Sequence, residues 1–143
     1  MDLGALLAEV KAVMEPQAKH MNVVIDLELA EGGLMVQADR HRLHQVFSNL
    51  LMNAIQAMPS GGEVSIAVVE EGDCVKITVS DQGEGFSEAA LERAGEAFYS
   101  EREGGLGIGL AVAVDICRAH GGNLELGNDE NGGASIRVEL PKP

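Results

Sequence analysis

Every strand-like run in this sequence is apolar on alternate residues. Val23/Ile25/Leu27/Leu29, Val64/Ile66/Val68, Val75/Ile77/Val79, Leu124/Leu126 and Ile136/Val138/Leu140 all follow period two. A strand of this kind offers one face to a core and the other to water. The sheet is therefore covered on one side only, and every helix must lie on that side. Three helical patterns are available to cover it. Leu3, Leu6, Leu7, Val10, Val13 and Met14 open the chain as an amphipathic helix running to about His20. A wide stripe of Leu43, Val46, Phe47, Leu50, Leu51, Ala54, Ile55 and Met58 marks a second, from about Arg40 to Met58. A third runs from about Gly107 to His120. The expected fold is α/β (α+β): a two-layer sandwich with a mixed, mostly antiparallel sheet and three helices on one face.

Punctuation between these runs is clear. Asp39 is placed to cap the second helix, Pro59-Ser60-Gly61-Gly62 ends it, and Gly121-Gly122 ends the third. Glu70-Glu71-Gly72-Asp73 joins two strands as an antiparallel hairpin, and Asp129-Glu130-Asn131-Gly132-Gly133 joins the closing pair. After the first strand, Glu31-Gly32-Gly33 leads into a short extended piece, Leu34-Met35-Val36.

With 143 residues, 45% of them hydrophobic, the chain suits a single domain spanning residues 1–143. Ten basic against 23 acidic residues leave a net charge of −13, which opposes nucleic acid and anionic membrane surfaces as partners. A phosphate ligand must then be held locally, by main-chain N–H groups, a few basic side chains and a divalent cation. Cys74 and Cys117 lack partners at metal-site spacing and read as buried reduced thiols. Neither a spanning segment nor an N-terminal leader pattern is present, so the expected location is cytoplasmic, without direct membrane contact by this domain.

Two glycine clusters and one pair of amides carry the chemistry. Asn49 and Asn53 lie one turn apart beside the apolar stripe, on a flank shared with Arg42, Gln45 and Gln56. Asn weakens a helix, so two in one turn suggest a ligand: an amide oxygen, best placed at Asn53, on Mg²⁺ beside a triphosphate. Two plain surface amides are the alternative. Asp81-Gln82-Gly83-Glu84-Gly85 follows a strand, where Asp81 can accept a hydrogen bond from an exocyclic amine and Gly83 and Gly85 let a planar base approach the backbone. A simple Asp-x-Gly turn is the competing reading. Gly105-Leu106-Gly107-Ile108-Gly109-Leu110 places three alternating glycines before an apolar helix, an arrangement that aims N–H groups at an anion. The third glycine of a Rossmann fingerprint and the Gly-Lys-Ser/Thr of a P-loop are both missing.

In this order the segments resemble a known family. The stretch Gln45-Val46-Phe47-Ser48-Asn49-Leu50-Leu51-Met52-Asn53-Ala54-Ile55-Gln56-Ala57-Met58 resembles the N box of the Bergerat-fold ATPases, Asp81 to Gly85 the G1 box, and Gly105 to Leu110 the G2 box. Among these the chain is most similar to the ATP-binding catalytic domain of sensor histidine kinases, over nearly its whole length and down to Ala119-His120-Gly121-Gly122. The resemblance implies ATP and Mg²⁺ as cofactors. Asn53 would ligate the metal, Asp81 read the adenine amine, and Gly83 and Gly85 line the base pocket. Gly105, Leu106, Gly107, Ile108, Gly109 and Leu110 would hold phosphates beneath a lid spanning roughly 86–104. Asn49 stands where the hydrolytic branch resembling gyrase has a water-activating glutamate, and an amide cannot act as that base. Phosphoryl transfer to a protein histidine fits better.

The chain departs from the family pattern in places. Gly95-Glu96-Ala97-Phe98 keeps only the last aromatic of the frequent Phe-x-Pro-Phe segment. Tyr99-Ser100-Glu101-Arg102 resembles the usual Ser/Thr-Thr-Lys stretch and makes Arg102 the candidate γ-phosphate contact. Gln56 stands at a frequently basic position and Leu106 at a frequent Thr or Ser. His41 and His44 read as solvated side chains. None of His20, His41, His44 or His120 has the His-Glu or His-Asp context of the family's phosphoacceptor. The implied partners are a histidine-bearing dimerisation domain of the same kinase, which the first 20 residues would follow, and a response regulator. An anti-sigma-factor-type serine kinase and a nucleotide-binding pseudokinase share these boxes and remain alternatives.

Overall fold

Among the described residues one pair of strands is parallel, and that pair sets the architecture. The computed structural model describes residues 1–29, 34–92 and 108–143. Strands β1 (Val23–Glu28), β2 (Gly62–Glu71), β3 (Cys74–Ser80), β4 (Asn123–Asn128) and β5 (Ala134–Pro141) form one sheet in the order β1-β2-β3-β5-β4. β1 and β2 run parallel, with Ile25 opposite Val64, and every other neighbouring pair is antiparallel. Parallel neighbours need a crossover, and helix α2 (Arg40–Gln56) supplies it. The mixed, mostly antiparallel sheet agrees with the alternating sequence pattern.

The one-sided pattern is realised strand by strand. In β3, Val75, Ile77 and Val79 are buried while Lys76, Thr78 and Ser80 face the other way. β5 repeats this with Ile136, Val138 and Leu140. Over that apolar face lie α1 (Leu3–His20), α2 and α4 (Ile108–Ala119), which share a single core with it. Phe47, Leu50, Leu51 and Ile55 of α2 are fully enclosed, so α2 is the central helix, packed against α1 on one flank and α4 on the other. The opposite sheet face is open; Val24 is 63% exposed and Val69 53%. A fourth, one-turn helix, α3 (Glu88–Glu92), follows the Ser87 hydroxyl, which accepts from the Ala90 N–H at 3.1 Å.

Helix ends fall close to the expected signals. Asp39 caps α2 by accepting the Arg42 N–H at 3.2 Å, and that hydrogen bond holds the Asp39 carboxyl below its usual range. α2 stops at Gln56 rather than Met58, because Ala57 caps it and Met58 turns towards the sheet. Past α4, Gly121 takes a φ of +76° while the N–H groups of Gly121 and Gly122 return to the Arg118 and Cys117 carbonyls at 3.0 and 2.9 Å. A Cβ on Gly122 would run into the Glu139 carbonyl oxygen. The thiols divide. Cys117 is fully buried in α4, whereas Cys74, expected to be buried, begins β3 on the open face and is only partly covered.

Truncating Leu50, fully buried on the apolar stripe of α2, to Ala should lower the unfolding free energy by about 2–5 kcal/mol. Val24→Ala, on the open face, should change it by less than about 0.5 kcal/mol; urea denaturation compares the two. Burial pushes the Cys117 thiol from 9.0 up to about 11. The unfolded chain ionises first, so this contribution is intact below pH 9 and is lost as pH rises towards 11. Replacing Cys117 with Ala should flatten the fall in melting temperature across that window.

Candidate nucleotide site

Strand direction brings Asp81 and the end of α2 to one end of the sheet. β3 runs antiparallel to both its neighbours, so its C-terminal end meets the first residues of β2 and β5; Ser80 lies opposite Ser65 and Ser135. The end of α2 feeds into Gly62, the first residue of β2, and therefore reaches the same edge. Helix α4 runs the opposite way. Its C-terminal His120 accepts the Asp39 N–H on Nε2 at 3.0 Å while Nδ1 donates to the Ile116 carbonyl at 2.8 Å. That pair joins the last turn of α4 to the first of α2. With the two helices packed side by side, the start of α4 lies beside the end of α2.

Asp81 is the one buried polar or charged residue in the core among the described residues, at 6% exposure. Its Oδ1 accepts two main-chain hydrogen bonds, from Gly83 N at 2.9 Å and Ala134 N at 3.1 Å. The Asp81 N–H in turn donates to the Ala134 carbonyl at 3.0 Å. Both side-chain bonds therefore end on one oxygen, and among the described residues no donor meets the second. An Asp-x-Gly turn accounts for the bond to Gly83 but not for the bond to Ala134, 53 residues away.

The glycines after Asp81 are required by close approach. A Cβ on Gly83 would sit 2.6 Å from the Ala57 carbonyl oxygen and 2.9 Å from its Cβ, so the loop lies directly on the C-cap of α2. Gly85 has a φ of +81°, and a Cβ there would meet the Gly132 carbonyl oxygen. Just before them, Gln82 donates its N–H to the Met58 sulfur at 3.3 Å and accepts the Glu63 N–H on Oε1 at 3.0 Å. Asn53 lies one turn before Ala57, whose N–H bonds back to the Asn53 carbonyl. Asn49 is a further turn back, and both asparagine side chains are half-buried, while Arg42, Gln45 and Gln56 on the same flank are exposed.

A polar cleft of about 380 Å³ opens behind Asp81, lined by Glu63, Ser65, Ser80, Gln82, Asp129 and Asn131. Asn49 and Asn53 are not among its walls. Of the second glycine cluster, Ile108 and Gly109 open α4 and Leu110 packs against the core. Arg102, Gly105, Leu106 and Gly107 lie outside the described residues, as does all of the expected lid beyond Glu92. His41 is exposed, but His44 is half-buried and pairs through Nδ1 with the Ser48 hydroxyl at 3.1 Å. No group of three or more His, Cys, Asp or Glu side chains among the described residues could hold a metal ion.

Residues 38–143 match the family described as Histidine kinase-, DNA gyrase B-, and HSP90-like ATPase. The chain belongs to this family. Within it the likeness is to histidine kinases. Sporulation kinase A of Bacillus subtilis is 35% identical over 142 residues, 99% of this chain and 23% of its own length. The nucleotide-free catalytic domain of histidine kinase ThkA superposes with a TM-score of 0.91 at 31% identity, covering 99% of this chain and 93% of that one. The same kinase in complex with response regulator protein TrrA superposes at 0.87 and 29% identity, over 100% of this chain and 41% of that one. This chain spans about a quarter of the length of its kinase relative. No helix among the described residues is long and apolar enough to cross a membrane.

The β4–β5 turn was legible only as a turn. Gly133 touches the site directly, since a Cβ there would run into the Asp81 carbonyl oxygen. Its signal was the second glycine in Gly132-Gly133, one more than a turn of φ +93° at Gly132 needs. Asp81→Ala leaves the N–H groups of Gly83 and Ala134 without their acceptor. In nucleotide-free protein it should cost about 1–3 kcal/mol in a guanidinium titration.

Proposed function

We propose that this chain is the ATP·Mg²⁺-binding catalytic domain of a two-component sensor histidine kinase, presenting the γ-phosphoryl group to a histidine on a partner domain. The observation that carries this is the one-sided saturation of Asp81 at the edge where the Asn53-bearing end of α2 and the start of α4 also lie. A purine amine needs an acceptor fixed in direction, and the second Asp81 oxygen supplies one. Gly83, pressed on Ala57, ties the loop after Asp81 to the end of the helix that carries Asn53. Asn53 offers a hard amide oxygen, which suits Mg²⁺. When bound, that ion neutralises charge on the phosphoryl oxygens. The main chain opening α4 at Ile108 and Gly109 presents N–H groups of the kind that favour phosphate, with Arg102 and Gly105 to Leu110 completing the phosphate contacts.

Asn49 separates transfer from hydrolysis. Its amide cannot take a proton from water, so the chain's own residues bind and align the nucleotide while the nucleophile comes from elsewhere. The histidines agree with an external acceptor: His120 is engaged on both ring nitrogens and His44 with Ser48. The partners proposed are a histidine-bearing dimerisation domain and a response regulator, as the ThkA–TrrA complex supports for a similar domain. Residues 1–143 act as one unit in this reading, since Leu3, Leu6, Leu7 and Val10 of α1 share the common core. The setting proposed is cytoplasmic.

Calorimetric titration with ATP should show saturable binding that strengthens with Mg²⁺. Asp81→Asn keeps an oxygen for the two main-chain donors but turns the ligand-facing acceptor into an NH₂ group. It should therefore stay folded and bind ATP roughly 10- to 100-fold more weakly. Absence of heat at millimolar ATP with the parent chain would reject the proposal.

A further inference from the structure

The last residue of β4 does something the nucleotide reading does not use. Asn128 accepts the Phe86 N–H on Oδ1 at 2.7 Å and donates Nδ2 to the Phe86 carbonyl at 2.9 Å. One side-chain amide thus pairs with both main-chain groups of a single residue 42 positions away, as a neighbouring strand would. Only a primary amide carries a donor and an acceptor side by side for this. Phe86 follows Gly85, whose positive φ and close approach to the Gly132 carbonyl already seat the chain on the β4–β5 turn. That turn is closed by Asp129 N–H on the Gly133 carbonyl at 2.6 Å and Gly132 N–H on the Asp129 carbonyl at 2.9 Å.

The loop from Asp81 to Phe86 is consequently held at both ends by one hairpin. Ala134 secures the Asp81 end and Asn128 secures the Phe86 end. A loop fixed at both ends before a ligand arrives has little ordering left to do when it binds. We propose that Asn128 is a positioning residue of the nucleotide site: its amide sets the exit of the Asp81–Phe86 loop and so raises nucleotide affinity through the loop. This rests on the functional reading above. Because Asn128 is exposed, water competes for both bonds and the effect is moderate.

Titrating the 143-residue chain with Mg·ATP tests this in the parent, Asn128→Ala and Asn128→Asp, well below each melting temperature. The Asp variant keeps the acceptor but loses the donor, and it decides the matter where the Ala variant does not fold. Both variants should bind on the order of tenfold more weakly. Amide hydrogen exchange should quicken at Phe86 and stay at the parent rate at Val138 in the centre of β5. Parent-like affinity in the variants overturns the inference and leaves the ATP reading standing. So does weakened affinity accompanied by equal acceleration at Val138, which marks general destabilisation. A parent chain that does not bind Mg·ATP rejects the functional proposal, and this inference with it.

Discussion

A single carboxylate oxygen, Asp81 Oδ1, joins the end of β3, the glycine loop after it and the start of β5 by accepting from Gly83 and Ala134. A buried carboxylate is costly unless its lone pairs are used, and two main-chain donors at 2.9 and 3.1 Å offset much of that cost. Everything nearby is arranged around those bonds. Gly133 must lack a side chain so that β5 can reach Asp81, and Gly83 so that the loop can lie on α2. Because the bonds converge on one oxygen, the same carboxylate that ties the strands together is the one to which the proposed function gives the nucleotide's amine.

The central helix gives that tie a rigid base. α2 is enclosed on its apolar stripe by α1, α4 and the sheet, so the half-buried Asn49 and Asn53 beside that stripe sit on a packed helix rather than on a loop. Its two ends are also fixed. Asp39 and His120 join the first turn to α4, while Ala57 and Met58 join the last turn to the loop after β3. A displacement of α2 along its axis would disturb both contacts at once. Sheet, helix amides and glycine loop therefore behave as parts of one framework, with the β4–β5 hairpin as its outer wall.

Much of this could be read along the chain, for physical reasons that differ by residue. Val75, Ile77 and Val79 alternate because one sheet face is dry, and that periodicity survives in any one-sided sheet. Asp39 was recognisable because a cap acts within four residues of itself. Cys74 was misread because period two says that neighbouring residues face opposite ways but not which face water reaches at a strand's first residue. Met58 extended the apolar stripe of the helix, yet its sulfur is taken by Gln82, so the helix ends two residues earlier. Asn128 gave no signal at all, since its partner lies 42 residues upstream and an Asn before a turn is explained well enough by the turn.

The sequence by itself determined the one-sided sheet, the three covering helices, the amide pair and both glycine clusters, because each depends on spacing within a few residues. Tertiary structure decided that β1 pairs parallel with β2, that Asp81 spends one oxygen on Ala134, and that Gly83, Gly85 and Gly133 are packed against main chain rather than merely turning it. Those contacts join segments tens of residues apart. Their existence depends on how strands register and helices pack, and local chemistry carries no record of either.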